Sequence, residues 1–246
     1  MHHGPQRTVL VTGASRGIGA EVAQQLADPG THVIVNYREK ANRANAIVEA
    51  IRSAGGHAST LGADISDEAD ATAMMESIER RFGRLDALVL NASGGLELGA
   101  DPGYAMRLNR DAQRRLVQLA LPMMPVDGRV VFVTSHQAHF FPNKAVPKGY
   151  SAVAASKRAG ETALYAMRSV FSRAGVRLTV VSGDMIDGTI IVRLLQRRDP
   201  EAVQARRVHG TLPTVHEFSG AIVSAVTMPS PPGIVYVGGA DYLMTA

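Results

Sequence analysis

The segment Val9-Leu10-Val11-Thr12-Gly13-Ala14-Ser15-Arg16-Gly17-Ile18-Gly19 constrains this chain more than any other. An apolar run meets three glycines there and passes straight into a helical pattern. Val, Leu and Val in succession suit a strand buried on both faces. Glycines at 13, 17 and 19 permit a tight turn and a close approach of backbone to an anion. The N–H groups of the helix that starts here point at that anion. Glycines alone would say little; strand, glycine turn and helix opening a β-α-β unit describe a dinucleotide phosphate site.

The rest of the chain repeats this alternation. Apolar runs at Thr8–Thr12, His32–Tyr37, His57–Ala63, Ala87–Leu90, Arg129–Thr134, Arg177–Val181 and Ile234–Val237 read as strands. Helical patterns occupy Gly17–Ala27, Ala41–Ser53, Glu68–Phe82, Pro102–Met123, Ser151–Ser172 and Val215–Val226. Asp28-Pro29-Gly30 and Gly55-Gly56 act as helix stops, and Ser66-Asp67 supplies an N-cap. Strict β-then-α order predicts an α/β fold: a single-domain, doubly wound, seven-stranded parallel sheet with helices on both faces. Residues 7–246 are expected as that one domain, and Met1–Gln6 as a leader or tag remnant. Two stretches break the rhythm. Ser135–Gly149 reads as a long loop after the fifth strand, and Gly183–Pro213 as a substrate-side excursion or lid after the sixth. Both leave the carboxyl ends of strands, where open α/β sheets bind ligands.

Composition removes several classes of function. The chain has no cysteine, which excludes a disulfide framework, an iron–sulfur cluster, a thiolate zinc site and a thiol nucleophile. At 46% hydrophobic it can bury a sizeable core, and no apolar run reaches a membrane span, so a cytoplasmic location is expected. The formal net charge is +4, and of 26 basic residues only Lys40, Lys144, Lys148 and Lys157 are lysine. Arginine forks onto phosphate, so anionic partners fit, but the balance is too mild to imply nucleic acid. The basic stretch Arg193–Arg207 alternates with apolar residues at helical spacing and reads as a solvated helix face.

Taken in order, the motifs resemble those of the short-chain dehydrogenase/reductases from Arg7 to the end of the chain. Thr12-Gly-x-x-x-Gly-x-Gly19 is similar to that family's fingerprint, and Asp64-Ile65 stands where the family holds adenine. Asn91-Ala92-Ser93-Gly94 is similar to its Asn-Ala-Gly motif, with one residue inserted or substituted. Asn109 matches its helix asparagine, Ser135 its active-site serine, Lys157 its active-site lysine and Gly238-Gly239 its closing glycine pair. The resemblance implies a Rossmann fold, a nicotinamide dinucleotide cofactor and hydride transfer at a carbonyl. It implies nucleotide contacts from Gly13, Ser15, Arg16, Gly17, Ile18, Arg38, Asp64, Ile65, Asn91, Gly94, Lys157, Gly183 and Met185. It implies catalytic work for Ser135, Lys157 and Asn109, Tyr150 is a candidate for the acid, and no metal is expected. Family members commonly form dimers and tetramers through helices matching Pro102–Met123 and Ser151–Ser172, so a homo-oligomer is expected.

Charge argues for the phosphorylated cofactor. An NAD site carries an acid after the second strand to hold the ribose hydroxyls. Here that place reads Asn36-Tyr37-Arg38, and Arg16 adds a second cation in the glycine turn. Two arginines can clamp a 2′-phosphate, which favours NADPH over NADH; the alternative is two solvated arginines.

The chain departs from the family at its acid. The family tyrosine stands four residues before the lysine, and here Val153 holds that place. Tyr150 lies seven residues before Lys157, about 10.5 Å along a helix axis, so the usual lysine–tyrosine relay looks broken. Tyr150 as a displaced acid is one repair. His136 or His139 as donor is another, although as a pair at i, i+3 without a third ligand they read better as polar loop residues. The third is a substrate that polarises its own carbonyl through an adjacent phenol. This tyrosine-less pattern is similar to an atypical branch of the family, the angucyclinone ketoreductases of antibiotic tailoring. Phe140, Phe141, Tyr104, Met106 and Met185 would suit a flat aromatic guest; the alternative is simple packing. The expected function is an NADPH-dependent ketoreductase of an aromatic polyketide ketone. The rival is a non-catalytic NADP(H)-binding sensor.

Overall fold

Successive side chains of a strand point to opposite faces, so a strand that is apolar at every position must be covered on both. The computed structural model describes residues 6–96, 101, 103–147, 149–208 and 210–244, and the expected leader lies outside them except for Gln6. Seven strands occur among the described residues: β1 (Arg7–Val11), β2 (Thr31–Tyr37), β3 (His57–Gly62), β4 (Ala87–Leu90), β5 (Arg129–Ser135), β6 (Arg177–Gly183) and β7 (Ile234–Val237). They form one parallel sheet in the order β3-β2-β1-β4-β5-β6-β7. The doubly wound single domain is therefore as the sequence predicts.

Helices cover both faces. In chain order they are α1 (Gly17–Gln25), α2 (Ala41–Ser53), α3 (Glu68–Phe82), α4 (Tyr104–Met106), α5 (Gln113–Ala120), α6 (His136–His139), α7 (Ser151–Tyr165), α8 (Arg168–Ala174), α9 (Ile190–Arg198), α10 (Pro200–Val208), α11 (Val215–Thr227) and α12 (Ala240–Met244). Val9, Val11, Val33, Val35 and Val89 pack with Val22 of α1, Val48 of α2 and Phe218 and Ile222 of α11. The intervening Leu10, Ile34, Leu88 and Leu90 face the other way, onto Met74 and Met75 of α3, Leu116 of α5 and Leu164 of α7. At roughly 1.5–3 kcal/mol per fully buried side chain, these two layers supply most of the drive to fold. Asp67 caps α3 by accepting from the Asp70 N–H at 3.0 Å.

Several helices differ from the sequence pattern. The stretch Pro102–Met123, expected as one helix, runs as α4, a π-helical segment at Arg107–Ala112, α5 and a 3₁₀ turn at Leu121–Met123; Pro102 lies outside the described residues. The π segment brings the Asn109 carbonyl against Gly160 of α7, so close that a Cβ at Gly160 would overlap it. Ser151–Ser172 is interrupted between α7 and α8, where neither glycine nor proline marks a break. In the excursion Gly183–Pro213, where the sequence predicts helical spacing over Arg193–Arg207, α9 and α10 share a small core of Met185, Val192, Leu195, Val203 and Leu212. No helix among the described residues is long and apolar enough to cross a membrane.

Candidate active site

The winding of the sheet reverses between β1 and β4, so the loops that follow these strands part and leave a crevice at their carboxyl ends. Thr12 and Asn91 hold its two banks together. The Thr12 hydroxyl accepts from the N–H groups of Asn91 and Ala92, both at 3.0 Å, and the Asn91 amide donates to the Thr12 carbonyl at 2.9 Å. Gly13 turns with φ +62°, a left-handed conformation that glycine adopts without strain. Gly19 packs so tightly that a Cβ there would stand 2.5 Å from the Asn91 amide nitrogen and 2.7 Å from the Gly13 carbonyl.

A cleft of about 760 Å³ opens above these contacts. Ser15, Arg16, Gly17 and Ile18 line it at the start of α1, a helix with no side-chain cap and no acid in its first turn. The N–H groups that a helix's first turn leaves without intrahelical partners are what a pyrophosphate needs. At one end Asp64 and Ile65 border the cleft, and the Asp64 carboxylate turns aside to accept from the Ser66 hydroxyl at 2.6 Å. Four cations, Arg16, Arg38, Lys40 and Arg43, face two acids, Glu39 and Asp64, along this end. Sequence reasoning missed Lys40 and Arg43. The signal was there, since both sit at the start of α2, immediately after the loop that carries Arg38.

Ser135, Tyr150, Val153 and Lys157 line the other end. The Tyr150 hydroxyl lies 3.3 Å from the Ser135 hydroxyl, brought there because Tyr150 is the N-cap of α7 rather than a residue of its second turn. Burial pushes the Tyr150 phenol above its usual value, and the Ser135 contact opposes that only in part. Lys157 makes no hydrogen bond or ion pair among the described residues, and burial lowers its ammonium from 10.5 to about 8. A buried amine without a protein partner at the edge of a cleft suits a ligand hydroxyl, as the ribose of a nicotinamide nucleotide would provide.

Other expected site residues stand elsewhere. Asn109 does not border the cleft: its amide donates to the Gly94 carbonyl and the Ser156 hydroxyl, both at 2.9 Å, and its oxygen accepts from the Gly94 N–H. It holds the wall from behind. Gly183 lies inside β6, paired with Ser135 and Val237 and packed against Phe218, while the residues that reach the cleft are Asp184, Met185 and Ile186. His136 and His139 are not loop residues but parts of α6, and both are buried. His136 bridges the Ser182 hydroxyl at 2.8 Å and the Gly238 carbonyl at 3.0 Å, and His139 bridges Glu161 and the Tyr236 hydroxyl. No group of three or more metal-binding side chains occurs among the described residues.

Long-range contacts place three further residues. Arg206, read as part of a solvated face, forms a buried ion pair with Asp184, Nη2 to Oδ2 at 2.5 Å. Tyr104 stands at the cationic end of the cleft, where Arg38 donates to its hydroxyl. Phe140, expected beside the guest, is not a cleft residue; it stacks on Tyr236 with centroids 5.9 Å apart. Leu96, Pro147, Val153, Met185, Ile190 and Ile191 form the apolar wall instead.

The short chain dehydrogenase family model matches residues 7–199. The chain is 33% identical over 186 residues to the 1-cyclohexenylcarbonyl-CoA reductase of Streptomyces collinus, covering 72% of this chain and 64% of the relative. It is 35% identical over 162 residues to a probable tetrahydroxynaphthalene reductase of Zymoseptoria tritici, covering 63% and 59%. The matches thus span less than two thirds of each relative's own length. Among solved structures it is similar to the angucycline C-6 ketoreductase LanV with bound NADP, at 27% identity and a TM-score of 0.79 over 97% of this chain and 98% of that one.

Proposed function

The chain belongs to the short chain dehydrogenase family, and from that premise we propose that it is an NADPH-dependent ketoreductase of aromatic ketones in which Tyr150 replaces the displaced family acid. The contact between the Tyr150 and Ser135 hydroxyls, on the cleft wall, carries this reading. NADPH fits the open N-terminus of α1 and the excess of cations at the Arg38 end. The similarity to an NADP-bound ketoreductase supports the same cofactor.

The cofactor would supply a hydride to the carbonyl carbon. Ser135 and Tyr150 would hold the carbonyl oxygen by hydrogen bonds, and Tyr150, kept protonated by its burial, would give that oxygen its proton. Lys157 would hold the nicotinamide ribose rather than tune the phenol, since the Tyr150 hydroxyl meets Ser135 and makes no hydrogen bond to Lys157 among the described residues. Asn109 would fix the Gly94 backbone without touching substrate. The apolar wall formed by Leu96, Val153, Met185 and Ile190 suits a flat ring system, and α9 would close over it as a lid. The likeness to reductases of polycyclic and naphthalene-type substrates supports an aromatic polyketide.

Following NADPH oxidation across a panel of ketones tests this. The panel pairs aromatic polyketide ketones bearing an adjacent phenol with plain aryl and alkyl ketones of similar size. Aryl ketones of both kinds should turn over, and Tyr150→Phe should lower the rate by about 10²–10⁴-fold on plain ketones. Turnover confined to phenol-bearing ketones, unchanged in Tyr150→Phe, would transfer the proton-donor role to the substrate. Tight NADPH binding without turnover of any ketone would leave only the nucleotide site standing.

A further inference from the structure

Arg38 is a long, exposed arginine at the mouth of the cleft, and such a side chain loses much rotamer freedom when it grips a phosphate. Two groups hold its two terminal nitrogens. Its Nη1 donates to the Tyr104 hydroxyl, and its Nη2 pairs with Glu39 at 2.8 Å. The two partners differ in kind. Glu39 adjoins Arg38 in sequence and is itself exposed, so it can draw the guanidinium out to solvent. Tyr104 comes from across the cleft, 66 residues away in the chain.

The segment that presents Tyr104 is firmly seated. The Tyr104 N–H donates to the Asp101 carbonyl at 2.9 Å, and Asp101 also pairs with Arg107 at 2.6 Å. The neighbouring Ala105 lies so close to Gly95 that a Cβ there would stand 2.6 Å from the Ala105 Cβ. Asn109 then ties the same stretch to Gly94 on the cleft wall. A seated phenol thus meets a flexible guanidinium whose other partner competes with the cleft for it.

We propose that Tyr104 is a positioning residue for cofactor choice: its hydroxyl holds Arg38 over the cleft against Glu39 and so readies it for a 2′-phosphate. The proposal rests on the NADPH reading above, which assigned Arg38 to that phosphate, and adds the residue that orients it. Tyr104→Phe keeps the ring whose centroid lies 5.9 Å from the guanidinium carbon and removes only the hydroxyl. Ordering one such side chain is worth roughly a two- to tenfold change in affinity.

Calorimetric titration with 2′,5′-ADP and with 5′-ADP separates the ideas without any turnover. Tyr104→Phe should weaken 2′,5′-ADP about fivefold and leave 5′-ADP unchanged, which also shows the variant folded. Adding Glu39→Gln to Tyr104→Phe should recover much of that loss, because the competitor for Arg38 is gone. Equal weakening of both ligands in Tyr104→Phe, or no change in either, overturns the proposal. If Arg38→Leu keeps the full preference for 2′,5′-ADP, the assignment of Arg38 to the 2′-phosphate fails, and the role of Tyr104 falls with it. A loss in Arg38→Leu with none in Tyr104→Phe sinks only the latter.

Discussion

Lys157 is held in the folded chain at a cost, and replacing it should reveal how large that cost is. Its ammonium is buried, has no partner among the described residues, and is lowered by desolvation from 10.5 to about 8. That fall corresponds to about 3 kcal/mol of disfavoured charge. Below pH 8 the folded and unfolded chains both bind the proton, so the full cost is present. Between pH 8 and 10.5 the folded chain releases the proton while the unfolded chain keeps it, and stability rises with pH as the cost fades. Lys157→Met, similar in length and uncharged, should therefore be more stable than the parent at pH 7, by up to about 3 kcal/mol. The advantage should shrink steadily towards pH 10.5. Urea unfolding of the cofactor-free protein and the variant at pH 7 and pH 9.5 measures this, because all other titrations cancel in the difference. The same variant should bind NADPH more weakly if, as proposed, the amine holds the ribose. A variant less stable than the parent at pH 7, or a difference that does not change between the two pH values, would refute the reasoning.

Other perturbations read other parts of the molecule. Arg206→Met should cost about 3 kcal/mol in denaturant unfolding, because it leaves the buried Asp184 carboxylate without its partner. Asp67→Ala removes the N-cap of α3 and should lower stability by about 1 kcal/mol in the same assay. Gly160→Ala forces a Cβ into the Asn109 carbonyl and should destabilise by roughly 3 kcal/mol, visible as a lower thermal midpoint. Gly19→Ala should abolish measurable dinucleotide binding by fluorescence titration while the far-ultraviolet dichroism stays that of an α/β fold, because its Cβ would push Asn91 and the glycine turn apart.

What could be read from the residues alone was local and periodic. Continuous apolar runs require two covered faces, so the parallel sheet and its order of strands and helices followed from the pattern. The residues to which the motifs assign the nucleotide line one cleft, apart from Gly183. The site beyond that was decided by contacts between residues far apart in sequence. Helix geometry alone keeps Tyr150 away from Lys157, but it does not say that the loop before α7 returns Tyr150 to Ser135. A basic helical repeat does not show which of its arginines folds back onto Asp184. Nor does a 3.6-residue period foresee the π-helical segment at Asn109, whose carbonyl packs against Gly160 of α7. Periodicity fixes which face of an element is buried; the path of the chain between elements decides which polar groups meet, because each such meeting depends on backbone directions that no single segment encodes.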